Sequence, residues 1–101
     1  MAQVSPIEMH SLLDLKDLRC FISAYELRGF GRAATALHTA QSNVSARIHR
    51  LEQLLGSSLF ERKHRSIEPT VKGDLLYRHA VRVLGEIGEL QIALRENSKA
   101  A

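Results

Sequence analysis

The stretch Gln41–Gly56, QSNVSARIHRLEQLLG, opens with small polar residues that are mediocre helix formers and closes on two leucines and a glycine. On a helical wheel, Val44, Ile48, Leu51 and Leu55 fall on one stripe. Ser42, Asn43, Ala46, His49, Arg50 and Gln53 lie opposite, with Gln41 and Ser45 on the flank. The pattern predicts a helix over 41–55 with one face in a core and the other open to a partner. Capping accounts for one or two small polar residues at a helix start, but not for a polar stripe that continues past the first turn. Gly56 predicts a left-handed C-terminal cap.

Upstream, Asp14 predicts the cap of a helix over about 15–28, whose apolar face is Leu15, Leu18, Ile22 and Tyr25 with Phe21 beside them. Gly29 and Gly31 are expected to break it. A short second helix, GRAATAL at 31–37, carries three alanines that permit close helix packing, and HTA makes the turn into the 41–55 helix. Two short helices joined by so few residues suggest a helix-turn-helix. Residues 1–14 read as a tail, with Pro6 and no sustained period.

Downstream, SLFERKHRSIEPT at 58–70 holds two candidate strands, Leu59–Glu61 and Ser66–Glu68. Their connection, Arg62-Lys63-His64-Arg65, is almost wholly basic, and a cationic hairpin directly after such a helix pair reads as a wing. Pro69 is expected to end the second strand and Thr70 to cap a last helix over 71–96. Gly73 stands where a capping box would have Glu or Gln. Leu76, Ala80, Val83, Ile87, Leu90 and Leu94 repeat at heptad-like spacing along that helix. A helix of this length spans about 39 Å, more than the ~26 Å breadth of a domain of this size. Part of it is therefore expected to project and meet a partner. Gly85 and Gly88 weaken the helix by roughly 1 kcal/mol each.

The chain of 101 residues has room for one domain, and its single cysteine, Cys20, sits among Leu18, Phe21 and Ile22 as a small core residue. No apolar run is long enough to span a membrane, and the N-terminus does not resemble a signal peptide, so a cytoplasmic setting is expected. The net charge of +3 is concentrated: residues 28–72 hold eight Lys/Arg against three acids, while the rest of the chain is net negative. A basic middle segment points to a polyanion. The major groove of DNA admits a helix, and its N-terminal residues meet base edges, where Gln and Asn bond adenine in bidentate fashion. Gln41, Ser42, Asn43 and Ser45 are the candidate base-reading residues. Arg47 and Arg50 of the helix, with Arg62 and Lys63 of the wing, are candidates for phosphate.

FISAYELRGFGRAATALHTAQSNVSARIHRLEQLLGSSLFER, followed by a basic wing and PTVKGDLL, resembles the DNA-binding domain of LysR-type transcriptional regulators. The resemblance runs from about Leu15 to Leu94, and its most specific pieces are RAATALH, QSNVSARIHRLE, LGSSLFER and PTVKG. It implies a mainly α fold, a winged helix-turn-helix over 15–69 followed by a long linker helix over 70–96 that pairs two copies into a dimer. It implies that Gln41 and Ser45 contact bases or nearby phosphates, and that Ser42 and Asn43 set this protein's own sequence preference. It further implies that Arg32 contacts phosphate and that Arg65 enters the minor groove. Family members continue into a domain that binds a small-molecule effector, so 97–101 is expected to be the end of a truncated piece. Three residues depart from the pattern. Ala46 replaces a longer polar or basic residue, Ala40 replaces the Ser at the helix start and leaves Thr39 as its cap, and Gly31 replaces the Ser or Thr cap of the second helix.

Other classes fit less well. Five histidines and one cysteine form no metal-ligand spacing, no glycine-rich phosphate loop is present, and no nucleophile–base pair is evident, so neither enzymatic activity nor a cofactor is expected. A single-strand or RNA binder would need aromatic stacking platforms, and the three Phe and two Tyr fall mostly at core positions. A winged-helix module for protein interaction or dimerisation, without specific DNA binding, is the remaining alternative. Arg62, Lys63 and Arg65 argue against it.

Overall fold

The structure, a computed structural model, describes Ser5 and residues 13–100, with side chains to residue 96. Most of the expected tail, 1–14, lies outside the described residues. Helix α1, Leu15–Leu27, starts where the Asp14 carboxylate accepts from the Lys16 backbone N–H at 2.8 Å, as its sequence predicts. It ends at Leu27, one residue short of the expected 28, because Arg28 itself takes the left-handed conformation (φ 57°, ψ 39°) ahead of Gly29. Gly29 is extended and becomes the N-cap of α2, Phe30–Ala36, so α2 begins a residue earlier than expected and Gly31 lies inside it rather than capping it. His38 turns the chain at φ 56°, a conformation His tolerates better than most side chains. Helix α3, Gln41–Leu55, then runs to Gly56, which caps it at φ 69°.

Strand β1, Phe60–Lys63, pairs antiparallel with β2, Ser66–Pro69, from Phe60 opposite Pro69 to Lys63 opposite Ser66. The turn is therefore only His64-Arg65. Arg62 and Lys63, expected in the connection, belong to β1, and Pro69 ends β2 as its last paired residue. The last helix, α4, Val71–Ala100, begins as expected: the Thr70 hydroxyl accepts from the Gly73 backbone N–H at 3.1 Å and donates to the Ser58 carbonyl at 2.7 Å. Gly73 has a reason unrelated to capping boxes, since a Cβ there would lie 2.2 Å from the Leu59 carbonyl oxygen. Only glycine lets α4 leave the root of the wing so closely.

One core joins every element. Leu18, Cys20, Phe21 and Ala24 of α1 meet Ala33 and Ala34 of α2, Val44, Ile48 and Leu51 of α3, Leu59, Phe60 and Ile67 of the wing, and Ala80 of α4. Phe60 is the hinge of this packing, its ring 5.3 Å from Phe21 and edge-on to Phe30 at 5.8 Å. Cys20 is buried as expected, and burial raises its thiol pKa and so keeps it in the unreactive form. Leu15 and Leu55, expected in the core, are exposed; both occupy end turns, and Leu55 lines an open apolar groove with Leu59, Leu75 and Leu76.

Helix α4 is fastened to α1 by a reciprocal pair. The rings of Tyr25 and Tyr77 stack at 3.9 Å and 7°. The Tyr25 hydroxyl donates to Asp74 at 2.7 Å, and the Tyr77 hydroxyl donates to Glu26 at 2.6 Å. The expected dimer seam is thereby divided. Ala80, 1% exposed, belongs to the core of its own chain, and Leu76 packs against that core. Ala80 is thus filled before a second copy arrives, which corrects its assignment to dimerisation, whereas Leu76 is half-buried, as Ile87 is, and keeps part of its surface on the open groove beside Leu55. Beyond them Val83, Leu90 and Leu94 are exposed and Ile87 is half-buried. Among the described residues, no helix is long and apolar enough to cross a membrane.

Candidate nucleic-acid interface

Val44, Ile48 and Leu51 fasten α3 to the core, and this rotation leaves Gln41, Ser42, Asn43, Ala46, His49 and Gln53 along the opposite face, with Ser45 half-buried at its edge. Neither Ala40 nor Thr39 caps α3 through a side chain. Thr39 instead accepts from the Asn43 side-chain amide at 2.9 Å, which orients that carboxamide in the first turn. The N-termini of α2 and α3 and the inner side of the wing enclose a groove lined by Gly29, Phe30, Gly31, Arg32, Gln41, Arg62, His64, Arg65, Ser66 and Ile67. Three arginines thus converge on one cleft that continues the polar face of α3. Arg62 lies over the Phe30 ring at 5.5 Å, a contact that positions its charge at the mouth of the cleft. Arg65 occupies the exposed turn. Lys63 is exposed on β1, with Glu61 4.0 Å away.

Arg32 has a structural duty as well as its place in the cleft. Its guanidinium donates to the Leu27 and Arg28 carbonyls at 2.9 and 3.1 Å, satisfying the C-terminal end of α1. Arg47 and Arg50 depart further from expectation. Both bind Asp17, with Arg47 Nη1 at 2.9 Å from one carboxylate oxygen and Arg50 Nε at 2.9 Å from the other. Asp17 is completely buried. Taking both partners from such a carboxylate would leave an unpaired buried charge, a loss of about 3–5 kcal/mol by analogy with broken buried pairs. Arg47 and Arg50, expected on phosphate, are thus both engaged by Asp17.

Asp17 is absent from the residues that the sequence singles out, although a signal is present there. It shares the helical face of Phe21 and Ala24, and a charge on an apolar stripe requires a cationic partner. Glu52 is a second such residue; its carboxylate accepts from the Leu59 backbone N–H at 2.8 Å and fixes the passage from α3 into the wing. Asp17 spends its charge on the two arginines beneath α3, and Arg32, Arg62 and Arg65 keep the cleft positive.

Residues 15–74 match the family model described as the bacterial regulatory helix-turn-helix protein, lysR family. The chain is 37% identical over 83 residues to the HTH-type transcriptional regulator CfxR of Cupriavidus necator, covering 82% of this chain and 26% of that regulator. It is 39% identical over 79 residues to the HTH-type transcriptional regulator IlvY of Escherichia coli, covering 78% of this chain and 27% of the relative. Among solved structures, the CbnR DNA-binding domain in complex with DNA superposes with a TM-score of 0.81 at 31% identity, over 85% of this chain and 99% of that one. The BenM DNA-binding domain in complex with its catB site 1 DNA superposes at 0.80 and 31% identity, over 83% and 93%. The chain thus spans about a quarter of the length of these curated regulators but nearly all of the solved DNA-binding domains. With a family model over 15–74 and, among the described residues, four helices and a two-stranded wing, this chain belongs to the lysR family of bacterial regulatory helix-turn-helix proteins.

Proposed function

We propose that this chain is the DNA-binding part of a longer transcription regulator and that it reads double-stranded DNA with α3 in the major groove. The observation that carries the reading is the continuity of the exposed polar face of α3 with a cleft holding Arg32, Arg62 and Arg65. Gln41, Ser42, Asn43 and Ser45 meet base edges, and Arg65 enters the adjoining minor groove. Arg32, Arg62 and Lys63 hold phosphates and set the register. The likeness to domains solved on DNA supports this reading over a winged-helix module that only binds protein. No step of it calls for catalysis or a cofactor. Because DNA is the partner, the work is cytoplasmic.

Two copies joined along the outer part of α4, through Val83, Ile87, Leu90 and Leu94, place two α3 helices on half-sites related by the same two-fold axis, an interrupted palindrome. The matched segment is about a quarter of each curated relative, which leaves room in the full regulator for a small-molecule effector domain.

Selection of binding sites from random duplexes tests the base-reading assignment. Asn43→Ala or Ser42→Ala should relax preference at particular base pairs, at roughly 1–3 kcal/mol for each good side chain–base hydrogen-bonded pair that the substitution removes. Arg62→Ala should weaken all sequences about equally. An unchanged motif from the Asn43 variant would remove α3 from the reading role.

A further inference from the structure

Two arginines of α3 are held by one buried acid. Arg47 and Arg50 are one turn apart on α3, so both reach the same side of the helix. Asp17, on α1 and completely buried, accepts from each of them with a separate oxygen at 2.9 Å. The side chain of Arg50 remains 57% exposed and that of Arg47 29%, so both lie within reach of solvent at the margin of the polar face while their charge is opposed from beneath.

We propose that Asp17 limits the sequence-independent part of DNA affinity: by tethering Arg47 and Arg50 it withholds two cations from the DNA backbone. The reasoning rests on the proposed DNA-reading role of α3. Phosphate contacts raise affinity for every sequence alike, whereas base contacts alone discriminate. A recognition helix with two untethered arginines beside its reading face would bind random duplex more tightly without reading it better. Each added phosphate contact steepens the log–log salt dependence by about 0.9, or about eightfold in affinity for each tenfold fall in salt. The pair also fixes the rotation of α3 about its own axis, since Asp17 holds it at two points one turn apart.

The test compares the salt dependence of binding to a selected site and to random duplex for the parent, Asp17→Asn, Arg47→Gln, and the triple variant Asp17→Asn/Arg47→Gln/Arg50→Gln, with thermal melting as the folding control. Asp17→Asn should bind random and selected duplex alike more tightly at low salt, steepen the slope by about 0.9 to 1.8 as one or two new phosphate contacts require, and leave the ratio of specific to random affinity near the parent's. The triple variant should return the slope to the parent's. Arg47→Gln leaves Arg50 on Asp17, keeps the fold, and should leave the slope unchanged, so the proposal remains testable even if Asp17→Asn does not fold. A slope that falls by about 0.9 in Arg47→Gln would show Arg47 already on phosphate and overturn the proposal. So would a folded Asp17→Asn variant that weakens specific and random binding in parallel. A parent that binds no duplex would overturn the functional reading itself, a result distinct from either of these.

Discussion

The Leu59 carbonyl oxygen leaves 2.2 Å for a Cβ on Gly73, so Gly73→Ala must push α4 away from the root of the wing. Overpacking of this kind costs roughly 1–3 kcal/mol or more. In a domain of this size each kilocalorie lowers the melting temperature by about 4–8 °C. Gly85→Ala, with nothing within 4 Å of its added Cβ, should instead match the parent or melt slightly higher. Thermal denaturation of the two variants checks this, and equal losses would mean that the close approach at Gly73 is not what the residue serves. Residues of this kind are only half legible in a sequence. The stripe Val44, Ile48, Leu51 announces itself by period, and Asp14, Thr70 and Gly56 by capping chemistry. Gly73 shows in the sequence only as a missing capping-box residue, because its true neighbour, Leu59, comes from another element. Arg47 and Arg50 look like free charges for the same reason: Asp17 lies 30 positions from Arg47 in the chain.

At the scale of elements, α4 is held by the Tyr25–Tyr77 stack and its two crossed hydrogen bonds, and none of these is visible as a local pattern. Tyr77→Ala removes the stack, worth about 0.5–1.5 kcal/mol beyond burial, and leaves Glu26 without its donor. Amide exchange in the first turns of α4 should quicken while the amides of α3 around Val44, Ile48 and Leu51 stay protected, since those rest on a different part of the core. Uniform loss of protection would mean that α4 and the helix-turn-helix are one cooperative unit. Element boundaries are legible wherever an ordinary cap ends a helix. They move where an unusual residue ends it, as at Arg28, whose left-handed backbone stops α1 ahead of Gly29. The wing is legible in place and charge, but its turn is tighter than the sequence suggests, which draws Arg62 and Lys63 into the ladder.

Across the whole molecule, extents of 55 × 42 × 21 Å reflect one long helix leaving a small body. Its outer turns carry apolar residues that the chain itself does not cover, and the proposed second copy is their natural cover. Leu90, 57% exposed, is a better probe than Ile87, which is already half-buried in its own chain. Leu90→Asp should shift sedimentation from dimer to monomer at micromolar protein with helical content intact, because a charge would enter an apolar seam from both copies. A variant that stays dimeric would place the dimer contact elsewhere. The central claim, that the cleft and α3 together engage duplex DNA, is tested most directly by titrating the parent against duplex and single-stranded DNA of one sequence at several salt concentrations. Arg32, Arg62 and Lys63 on phosphate predict preference for duplex and a log–log slope of roughly −3 per protomer, at about −0.9 for each neutralised phosphate. A slope near zero, or equal affinity for the single strand, would contradict it.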